Sequence, residues 1–326
     1  MRVLVTGGAG YVGSHAAKQL VKAGHDVVIV DNLAEGHRPA VGELPFVSVD
    51  LLDRERMVAA MKEHRIEAVM HFAAFAYVGV SVKDPAIYYQ NNIVGSLALL
   101  DAMRTAGIDR IVFSSSCATY GIPVRVPITE DHPQNPISPY GYTKLVMEHA
   151  LADYSHAYGL GYAALRYFNA SGAAADGTIG EDHDPETHLI PLILQVALGQ
   201  RESVDIFGTD YPTPDGTCIR DYIHVDDLAT AHVAALEKLT PRMALKLNLG
   251  TGHGASVQEV VDLCREITGH PIPVQKVDRR EGDPPALVAD AAAAKRELGW
   301  EAKRSMREII ESAWKWHSKH PRGYGK

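Results

Sequence analysis

The sequence has few cysteines, no long apolar run and no excess of positive charge, and each shortage argues against a class of protein. Only three of its 326 residues are cysteine, Cys117, Cys218 and Cys264, which lie far apart and cannot all pair. Free thiols suit a reducing compartment, so we expect a cytoplasmic protein. No stretch reaches about 18 uninterrupted apolar residues, which argues against a membrane span. The formal net charge of −8 opposes binding to nucleic acid.

Metal-binding patterns are also scarce, although 16 residues are histidine. The histidines at positions 15, 25, 37, 64 and 71 show no ligand spacing, and no cysteine cluster accompanies them. We therefore predict that the chain has no metal site and that its histidines are surface and core residues.

Short apolar strands alternate with amphipathic helices over the first half of the chain. The strand candidates are the β-branched or apolar runs at residues 3–5, 27–30, 46–49, 68–72 and 110–114. The helix candidates are residues 11–23, 53–64, 85–106 and 140–158. This alternation predicts an α/β fold with a doubly wound parallel sheet of the Rossmann type.

The composition changes after residue 165 and indicates a second, smaller lobe. Glycine, aspartate, histidine and proline become frequent over residues 169–191, and residues 208–216 have the same loop-like composition. Helices are predicted in this half at residues 225–238, 257–268, 291–298 and 306–317. We predict a first domain of residues 1–168 and a mixed lobe of residues 169–326, with residues from about 218 to 252 returning to the first domain.

A glycine-rich turn follows the first predicted strand. In TGGAGYVG at residues 6–13, Gly8, Gly10 and Gly13 fit GxGxxG, and Gly7, Gly10 and Gly13 fit GxxGxxG. Where a strand turns into a helix, such glycines let the backbone approach a pyrophosphate, and the free N–H groups and dipole of the helix favour the anion. The pattern predicts a dinucleotide site, although a glycine turn by itself can be only structural.

Asp31 supports the dinucleotide interpretation and favours NAD. It ends the second predicted strand about 20 residues after the glycines, where a carboxylate accepts hydrogen bonds from the adenosine ribose and repels a 2′-phosphate. NAD is therefore favoured over NADP, while the nearby Arg38 keeps NADP open. The alternative is that Asp31 is a turn residue before Asn32.

Tyr140 and Lys144 form a candidate catalytic pair. Pro139 suits the first turn of a helix, and a spacing of four places Tyr140 and Lys144 on one helix face. A tyrosine with a pKa of about 10 is roughly 0.1% ionised at pH 7, and lowering that pKa by about three units requires roughly 4 kcal/mol. We expect the Lys144 ammonium and a cationic nicotinamide to supply this stabilisation. Tyr142, the competing phenol, is predicted to point to another helix face.

Three serines close the fifth predicted strand, at the end where ligands of an open parallel sheet bind. A hydroxyl at this edge can hydrogen-bond the substrate oxygen that Tyr140 deprotonates, and we assign this role to Ser116. Cys117, the next residue, is either a reactive thiol or a buried packing residue.

Together these residues resemble the extended short-chain dehydrogenase/reductase family, and within it the NAD-dependent epimerases of nucleotide sugars. The resemblance covers nearly the whole chain. In the first half it rests on TGGAGYVGSH, DNL at 31–33, HFAA at 71–74, YYQNN at 88–92, FSSS at 113–116, SPYGYTK at 138–144 and LRYFNASG at 165–172. In the second half it rests on FGTDYPTPDGTCIRDYIHVDDLA at 207–229, NLGTG at 248–252 and RREGDPPA at 279–286.

The resemblance implies a set of residues for each ligand, with NAD held by the first domain and a UDP-sugar by the smaller lobe. The expected catalytic residues are Ser116, Tyr140 and Lys144. The expected NAD contacts are Gly7, Gly10, Tyr11, Val12, Gly13, Asp31, Asn32, Leu33, Ala34, Glu35, Gly36, Asp50, Leu51, Phe72, Ala73, Ala74, Asn91, Lys144 and Phe168. The expected UDP-sugar contacts are Ser116, Tyr140, Asn169, Leu189, Arg220, Tyr222, Arg280 and Asp283. Arginine forks accept phosphate oxygens bidentately, which suits a diphosphate.

The resemblance also implies a reaction without net oxidation. Tyr140 would take the proton of the sugar 4-hydroxyl while hydride passes from C4 to NAD, and the 4-keto sugar would take hydride back on its other face. We expect UDP-glucose and UDP-galactose as the pair, with UDP-GlcNAc/UDP-GalNAc or UDP-xylose/UDP-arabinose as alternatives. Dehydratases of the family carry an Asp/Glu pair after the strand hydroxyl, where this chain has Cys117, Ala118 and Thr119. A non-catalytic NAD-binding regulator is the alternative from another class.

Several positions differ from the pattern of the relatives and leave the sugar open. Ala76 and Tyr77 stand where a lysine and a small residue are common, and His188 replaces a usual asparagine near the uridine. Leu287 occupies a position of the sugar pocket that is often tyrosine, so we hypothesise that it leaves space for a C2 N-acetyl group. The family also implies a homodimer, formed through a bundle of the helices at residues 85–106 and 140–158.

Overall fold

The computed structural model describes residues 1–280 and 282–325; Glu281, within the RREGDPPA motif, lies outside the described residues. The strands, in chain order, are β1 (Arg2–Thr6), β2 (Asp26–Asp31), β3 (Phe46–Ser48), β4 (Ala68–His71), β5 (Arg110–Ser116), β6 (Gly161–Tyr167), β7 (Asn169–Ser171), β8 (Val204–Phe207), β9 (Ile219–His224), β10 (Ala244–Leu249), β11 (Gly254–Ser256), β12 (Val274–Val277) and β13 (Ala286–Leu287). The helices are α1 (Tyr11–Lys22), α2 (Arg38–Val41), α3 (Arg54–Glu63), α4 (Val78–Lys83), α5 (Pro85–Tyr88), α6 (Gly95–Ala106), α7 (Pro139–Tyr158), α8 (Leu189–Ala197), α9 (Val225–Lys238), α10 (Val257–Thr268), α11 (Ala292–Leu298) and α12 (Met306–Lys319).

A parallel sheet forms the centre of the first half of the molecule. Its strand order is β10-β6-β5-β4-β1-β2-β3, and each neighbouring pair is parallel. Val3 packs into an apolar cluster with α1 and α9, while Leu4, which points to the other face, packs with α3 and α6. Because helices cover both faces, the strands are nearly continuous apolar runs. The predicted doubly wound parallel sheet is confirmed.

Two strands of this sheet, β6 and β10, were missed by the sequence patterns. The apolar run of β6 is interrupted by Arg166, and that of β10 by Lys246 and Asn248. The preceding helix α9 packs with the large sheet in the same apolar cluster as α1. The segment from α9 to β10 therefore lies with the first half of the molecule, although it follows residue 169. The division into domains at residue 168 stays a prediction.

The remaining strands form two smaller sheets. The strand β9 pairs in parallel with β7 and β13 and antiparallel with β11, while β8 pairs in parallel with β12. The helices α8, α10 and α12 pack with them around Ile190, Val260 and Ile309. None of the helices in the described part of the chain combines the length and apolar character that crossing a bilayer requires.

The stretch from residue 85 to 106 departs from the single α-helix that we predicted. A π-helical segment, Tyr89–Val94, joins α5 to α6. Within it the buried Asn92 accepts a hydrogen bond from Phe75 N at 2.9 Å and donates one to Phe75 O at 2.9 Å. These bonds tie the widened turn to the loop after β4. Such π-helical turns occur often at functional sites, and this one adjoins the cleft described next.

Candidate active site

The glycine turn brings the end of β1, the loop after β4 and the start of α1 into close contact. Gly7 has a φ of +69°, and a Cβ at this position would lie 2.5 Å from Ala73 N. A Cβ at Gly13 would lie 2.1 Å from Gly7 O. Side chains are excluded at both positions, and the first N–H groups of α1 remain available to an anion because a helix leaves them without internal partners.

A cleft opens beside this turn at the carboxyl ends of the strands. It brings together most of the residues predicted to contact NAD, while Tyr11, Val12, Gly13, Leu33, Lys144 and Phe168 are not part of its lining. Val30, Val49 and Phe75 also line the cleft and were not predicted. The sequence feature that could have indicated them is their position at or just beyond the end of a predicted strand. The lining is Gly7, Gly10, Val30, Asp31, Asn32, Ala34, Glu35, Gly36, Val49, Asp50, Leu51, Phe72, Ala73, Ala74, Phe75 and Asn91.

Asp31 has a structural role in this cleft as well as a position suited to a ribose. Its Oδ2 accepts a hydrogen bond from Ala9 N at 3.0 Å, and its Oδ1 accepts one from Leu33 N at 2.8 Å. The carboxylate thus stabilises the turn, the role that we had kept as the alternative, and each oxygen keeps a lone pair for a further donor. Arg38 donates to Gly42 O at 3.0 Å and lies over the Phe46 ring. Its guanidinium therefore stabilises the turn that follows α2.

The helix α7 buries the candidate catalytic pair. It begins with Ser138 as N-cap, whose hydroxyl accepts from Gly141 N at 3.2 Å. Tyr140 is 9% exposed and Lys144 is 4% exposed, whereas Tyr142 is 48% exposed and points away, as predicted. Lys144 Nζ lies 5.7 Å from the centre of the Tyr140 ring and donates to Ser114 O at 2.7 Å.

The electrostatics of this pair indicate what the protein contributes without a cofactor. Burial raises the pKa of Tyr140, Tyr167 adds to the rise, and the Ser116 side chain offsets only part of it. Burial lowers the pKa of Lys144 to about 7. The protein alone therefore does not favour the phenolate, because both groups lose water and Lys144 bonds a carbonyl instead of the phenol. A further positive charge, as on a nicotinamide, is needed to make Tyr140 a base.

The three serines at the end of β5 have separate environments. Ser114 and Ser116 point to one face of the strand and Ser115 to the other. The hydroxyls of Ser114 and Tyr167 lie 2.6 Å apart, and Ser115 donates to Glu148 Oε1 at 2.6 Å. Ser116 Oγ accepts from Ala118 N at 3.1 Å, and the interaction of its hydroxyl with Tyr140 offsets part of the rise that burial causes in the pKa of that phenol. The hydroxyl that we assigned to the substrate is therefore the one that faces Tyr140.

A buried ion pair that the sequence analysis missed positions α7 against the sheet. Arg166 on β6 binds Glu148 with a fork of two hydrogen bonds, Nε to Oε1 at 2.9 Å and Nη2 to Oε2 at 2.5 Å. Both side chains are at most 2% exposed. Glu148 follows Lys144 by four residues and Tyr140 by eight, so the three share one helix face. The four-residue spacing of Glu148 from Lys144 and the position of Arg166 inside an apolar run were the sequence features from which this pair could have been predicted.

The predicted substrate residues cluster around β9. Arg220 lies 3.2 Å from Asp283 and donates to the carbonyl of Pro284 at 3.0 Å, so its guanidinium is oriented. Asn169 Nδ2 donates to Asp221 O at 3.0 Å, which joins β7 to β9. The Arg280 guanidinium stacks 3.8 Å from the centre of the Phe207 ring. Tyr222 is buried and Leu189 begins α8.

The end of β5 meets this second half of the chain at Cys117. An apolar cluster joins Cys117 and Leu287 to Phe168 and Tyr120, and Leu287 pairs with Arg220 across β13 and β9. Burial raises the pKa of the Cys117 thiol to about 12, with the Arg220 charge opposing the rise. The thiol is therefore a packing group and a poor nucleophile. Leu287 lies beside the candidate catalytic edge, where the sequence placed a sugar pocket.

Comparisons with known proteins give consistent matches along the chain. Residues 3–250 match the NAD dependent epimerase/dehydratase family. The chain is 51% identical to a UDP-glucose 4-epimerase of Halalkalibacterium halodurans, over 99% of this chain and 98% of that protein. A solved UDP-glucose 4-epimerase from Stenotrophomonas maltophila, with bound NAD and formylated UDP-arabinopyranose, has a TM-score of 0.96 at 47% identity and covers 99% of each chain. Another, from Brucella ovis in complex with NAD, has a TM-score of 0.93 at 53% identity and covers 96% of this chain and 97% of that one.

Proposed function

The chain belongs to the NAD dependent epimerase/dehydratase family, and from this premise we propose that it is an NAD-dependent epimerase that interconverts UDP-glucose and UDP-galactose. The family that the sequence motifs resembled is confirmed. One structural observation carries the reaction type: Tyr140 and Lys144 are buried together at the carboxyl end of β5, and the next positions, Cys117–Thr119, hold no carboxylates. Elimination of water needs an acid and a base at that place, whereas epimerisation needs only the phenol.

The cleft beside the glycine turn fits NAD as the resident cofactor. Its glycines allow the close packing of the turn, which leaves the first N–H groups of α1 for a pyrophosphate, and its carboxylate Asp31 suits an unphosphorylated ribose. We propose the residues predicted from the sequence as its contacts, with Val30, Val49 and Phe75 in addition. When bound, NAD supplies the group that accepts hydride from the sugar C4 and returns it.

The residues of the chain then have distinct roles in moving one proton. Tyr140 takes the proton of the sugar 4-hydroxyl and gives it back when the 4-keto sugar is reduced. Ser116 donates its hydroxyl proton to the same sugar oxygen, and Lys144 places positive charge beside the phenol. Because Tyr140 and Lys144 are buried, bulk water does not compete for this proton.

The second half of the chain holds the nucleotide. We propose that Arg220 and Arg280 bind the diphosphate, since their guanidinium groups are held by Asp283 and by the Phe207 ring before any ligand arrives. Asn169, Leu189 and Tyr222 complete the proposed contacts. The sugar, held only through its diphosphate, can rotate between these residues and Tyr140. Either face of its C4 can then face the nicotinamide.

Replacement of Tyr140 by phenylalanine tests the assignment of the base. We expect Tyr140→Phe to retain NAD but to lose about 10²- to 10⁴-fold in kcat, as removal of a general base does. Tyr142→Phe, an exposed phenol two residues along the same helix, is the matched control and should keep wild-type turnover. A Tyr140→Phe variant within about tenfold of the wild type would contradict the assignment.

The regulator alternative predicts a different spectroscopic result. Addition of a UDP-sugar to the purified, NAD-loaded protein should change the near-ultraviolet absorbance of the nicotinamide if Tyr140 initiates the reaction. A protein that only binds NAD shows no such change, even when UDP-sugar binds. The same experiment with UDP-glucose, UDP-GlcNAc and UDP-xylose, followed by comparison of kcat/KM, identifies the preferred sugar.

We further propose a cytoplasmic homodimer. Exposed apolar side chains on the helices around residues 85–106 and on α7, including Ile87, Tyr89, Val94 and Tyr142, support a shared helical interface. The Tyr89 and Tyr142 rings lie 6.4 Å apart, so the two helices present one surface. Free cysteines throughout the described residues support a reducing compartment.

A further inference from the structure

Four side chains of one short segment converge just before α8. Glu181, His183, Glu186 and His188 each offer one ligand atom, and these four atoms all lie within 4.8 Å of one another. The two carboxylates are almost fully buried, whereas the His188 side chain is 42% exposed. None of the five histidines considered in the sequence for ligand spacing belongs to this cluster. The catalytic roles assigned above do not use it, and His188 joins it to Leu189, a proposed contact of the nucleotide.

The separations between the imidazole nitrogens and the carboxylate oxygens, including both oxygens of Glu186, are close to those within a small tetrahedral shell. His188 Nδ1 lies 3.0 Å from Glu181 Oε1 and 2.9 Å from Glu186 Oε1. His183 Nδ1 lies 3.3 Å from Glu181 Oε1 and 3.7 Å from Glu186 Oε2. With ligand bonds of about 2.1 Å, donor atoms around a tetrahedral ion are about 3.4 Å apart. The observed separations fall on both sides of that value.

A second observation indicates that the cluster lacks a partner. His183 Nδ1 is buried and makes no aligned hydrogen bond in the described part of the chain, although Glu181 lies near it. A buried nitrogen in this state costs free energy, and the charge of Glu186 acts against that of Glu181 although the imidazoles offset part of this repulsion. A dication placed between the four atoms would remove both costs.

We propose that Glu181, His183, Glu186 and His188 bind a divalent metal ion, with zinc as the preferred ion. Two imidazoles and two carboxylates suit zinc, whereas magnesium and calcium prefer shells made of oxygen. Four protein ligands fill a tetrahedral shell and leave no open position, so the ion has a structural role.

The position of the cluster defines what the ion stabilises. The His183 ring packs edge-on against the rings of Tyr11 and Tyr77, at centroid distances of 6.2 and 5.7 Å. Tyr77 donates from its hydroxyl to Glu35 Oε2 at 3.0 Å, and Glu35 lines the cofactor cleft. The ion therefore fixes the segment before α8 against Tyr11 and Tyr77, and through Tyr77 against Glu35 in the lining of the cofactor cleft.

Protons shared between the imidazoles and the carboxylates are the competing explanation of the same contacts. Burial alone lowers the pKa of His188, but the charges of Glu181 and Glu186 and the hydrogen bonds to them raise it to about 10. An imidazolium held in this way accounts for the short contacts of His188 without a metal. The two explanations differ in one measurable respect, since only the metal site takes up zinc at a fixed ratio.

Titration of the full-length, NAD-loaded protein with zinc tests the proposal directly. After removal of metals with a chelator, the wild type should take up one Zn²⁺ per chain in a competition assay against a coloured zinc indicator. Co²⁺ should give the strong visible absorption of a tetrahedral site, and Mg²⁺ should not compete. Zinc at about 100 times its Kd should raise Tm by roughly 4 °C.

Matched variants locate the ion. Glu181→Gln and His183→Gln each remove one ligand and should weaken zinc binding at least about 100-fold. His188→Asn alters the most exposed ligand and provides a folded variant if the buried positions do not tolerate change. His253→Gln, an exposed imidazole in the loop after β10, should bind zinc as the wild type does.

Two results overturn the proposal. One is a wild type that binds no stoichiometric zinc at micromolar concentration; the other is a folded ligand variant that binds zinc as tightly as His253→Gln. Neither result depends on epimerase activity, so the outcome is independent of the proposed function.

Discussion

Replacing Arg166 with methionine removes one half of the buried pair that positions α7. The guanidinium makes two hydrogen bonds to Glu148 and one to the Tyr120 hydroxyl at 2.8 Å, and both charged side chains are at most 2% exposed. Removal of one partner from such a pair costs about 3–5 kcal/mol, because the other charge stays buried without compensation. Since about 1.4 kcal/mol is a factor of ten, the folding equilibrium constant should fall by roughly 10² to several 10³.

The pH dependence of this loss follows from Glu148. In the wild type, burial would raise the pKa of Glu148, but hydrogen bonds and charge from Arg166 outweigh burial and lower it. Because the pKa is lowered, the pair stabilises the protein fully at pH values above the pKa of Glu148 in the unfolded chain. This stabilisation is lost as the pH falls through the pKa of Glu148 in the folded protein. In Arg166→Met the sign reverses, because burial raises the pKa of the unpaired Glu148 carboxyl. This carboxyl becomes neutral as the pH falls. The deficit against the wild type should therefore be large at neutral pH and smaller at about pH 5.

Urea denaturation followed by tryptophan fluorescence measures these differences. Arg104→Met is the matched control, because the Arg104 side chain is 51% exposed and its replacement should change the free energy of unfolding by at most about 0.5 kcal/mol. The double variant Arg166→Met/Glu148→Gln, which buries no charge, should recover much of the loss. A single variant as stable as Arg104→Met, or a deficit that grows as the pH falls, would refute the reasoning.

Two further predictions concern the site itself. Leu287→Tyr should lower kcat/KM for UDP-GlcNAc by about tenfold or more relative to UDP-glucose, because the larger side chain fills space beside Cys117 and Phe168; equally poor turnover of UDP-GlcNAc by both proteins would count against the hypothesis. In the cofactor-free protein, burial lowers the pKa of Lys144 from 10.5 to about 7, so between these values the unfolded chain binds a proton that the folded chain lacks. The contribution of Lys144 to the free energy of unfolding should then rise by about 1.4 kcal/mol per pH unit over that range, so the stability difference between the wild type and Lys144→Met should grow at that rate; parallel pH profiles of the two proteins would exclude it.

Local patterns were sufficient for the strand-helix alternation and for the positions of the main motifs. The runs that became β1 to β5 are apolar on both faces, and the predicted boundaries of these strands and of α1, α3 and α7 lie within two residues of the observed ones. The short helices α2 and α4 were not predicted, and residues 85–106 are not a single α-helix. The glycine turn needs only neighbouring residues for its shape, and the four-residue spacing of Tyr140 and Lys144 defines one helix face. The motifs also identified the family, which the comparisons confirm.

Local patterns failed where the environment of a residue depends on distant parts of the chain. Asn92 lies in the π-helical segment and bonds to Phe75, seventeen residues away, so its environment cannot be inferred from its neighbours. The pKa values of Tyr140 and Lys144 could not be predicted from their spacing, because burial has the largest effect on both and burial is a property of the packed molecule. The strand β6 was missed because Arg166 interrupts its apolar run. This arginine can be buried in a strand only because Glu148, on α7, pairs with it.

The sequence by itself determined the parallel α/β class, the glycine turn and the residue types that can move a proton, because these depend on neighbours within a few positions. Only the tertiary structure decided which serine at the end of β5 faces Tyr140, that Glu148 and Arg166 form a buried pair, and that Arg220 meets Asp283 across 63 residues. It also decided that two glutamates and two histidines of one irregular segment face a common point. Side chains without helical or strand periodicity have no fixed direction until packing sets the backbone that carries them.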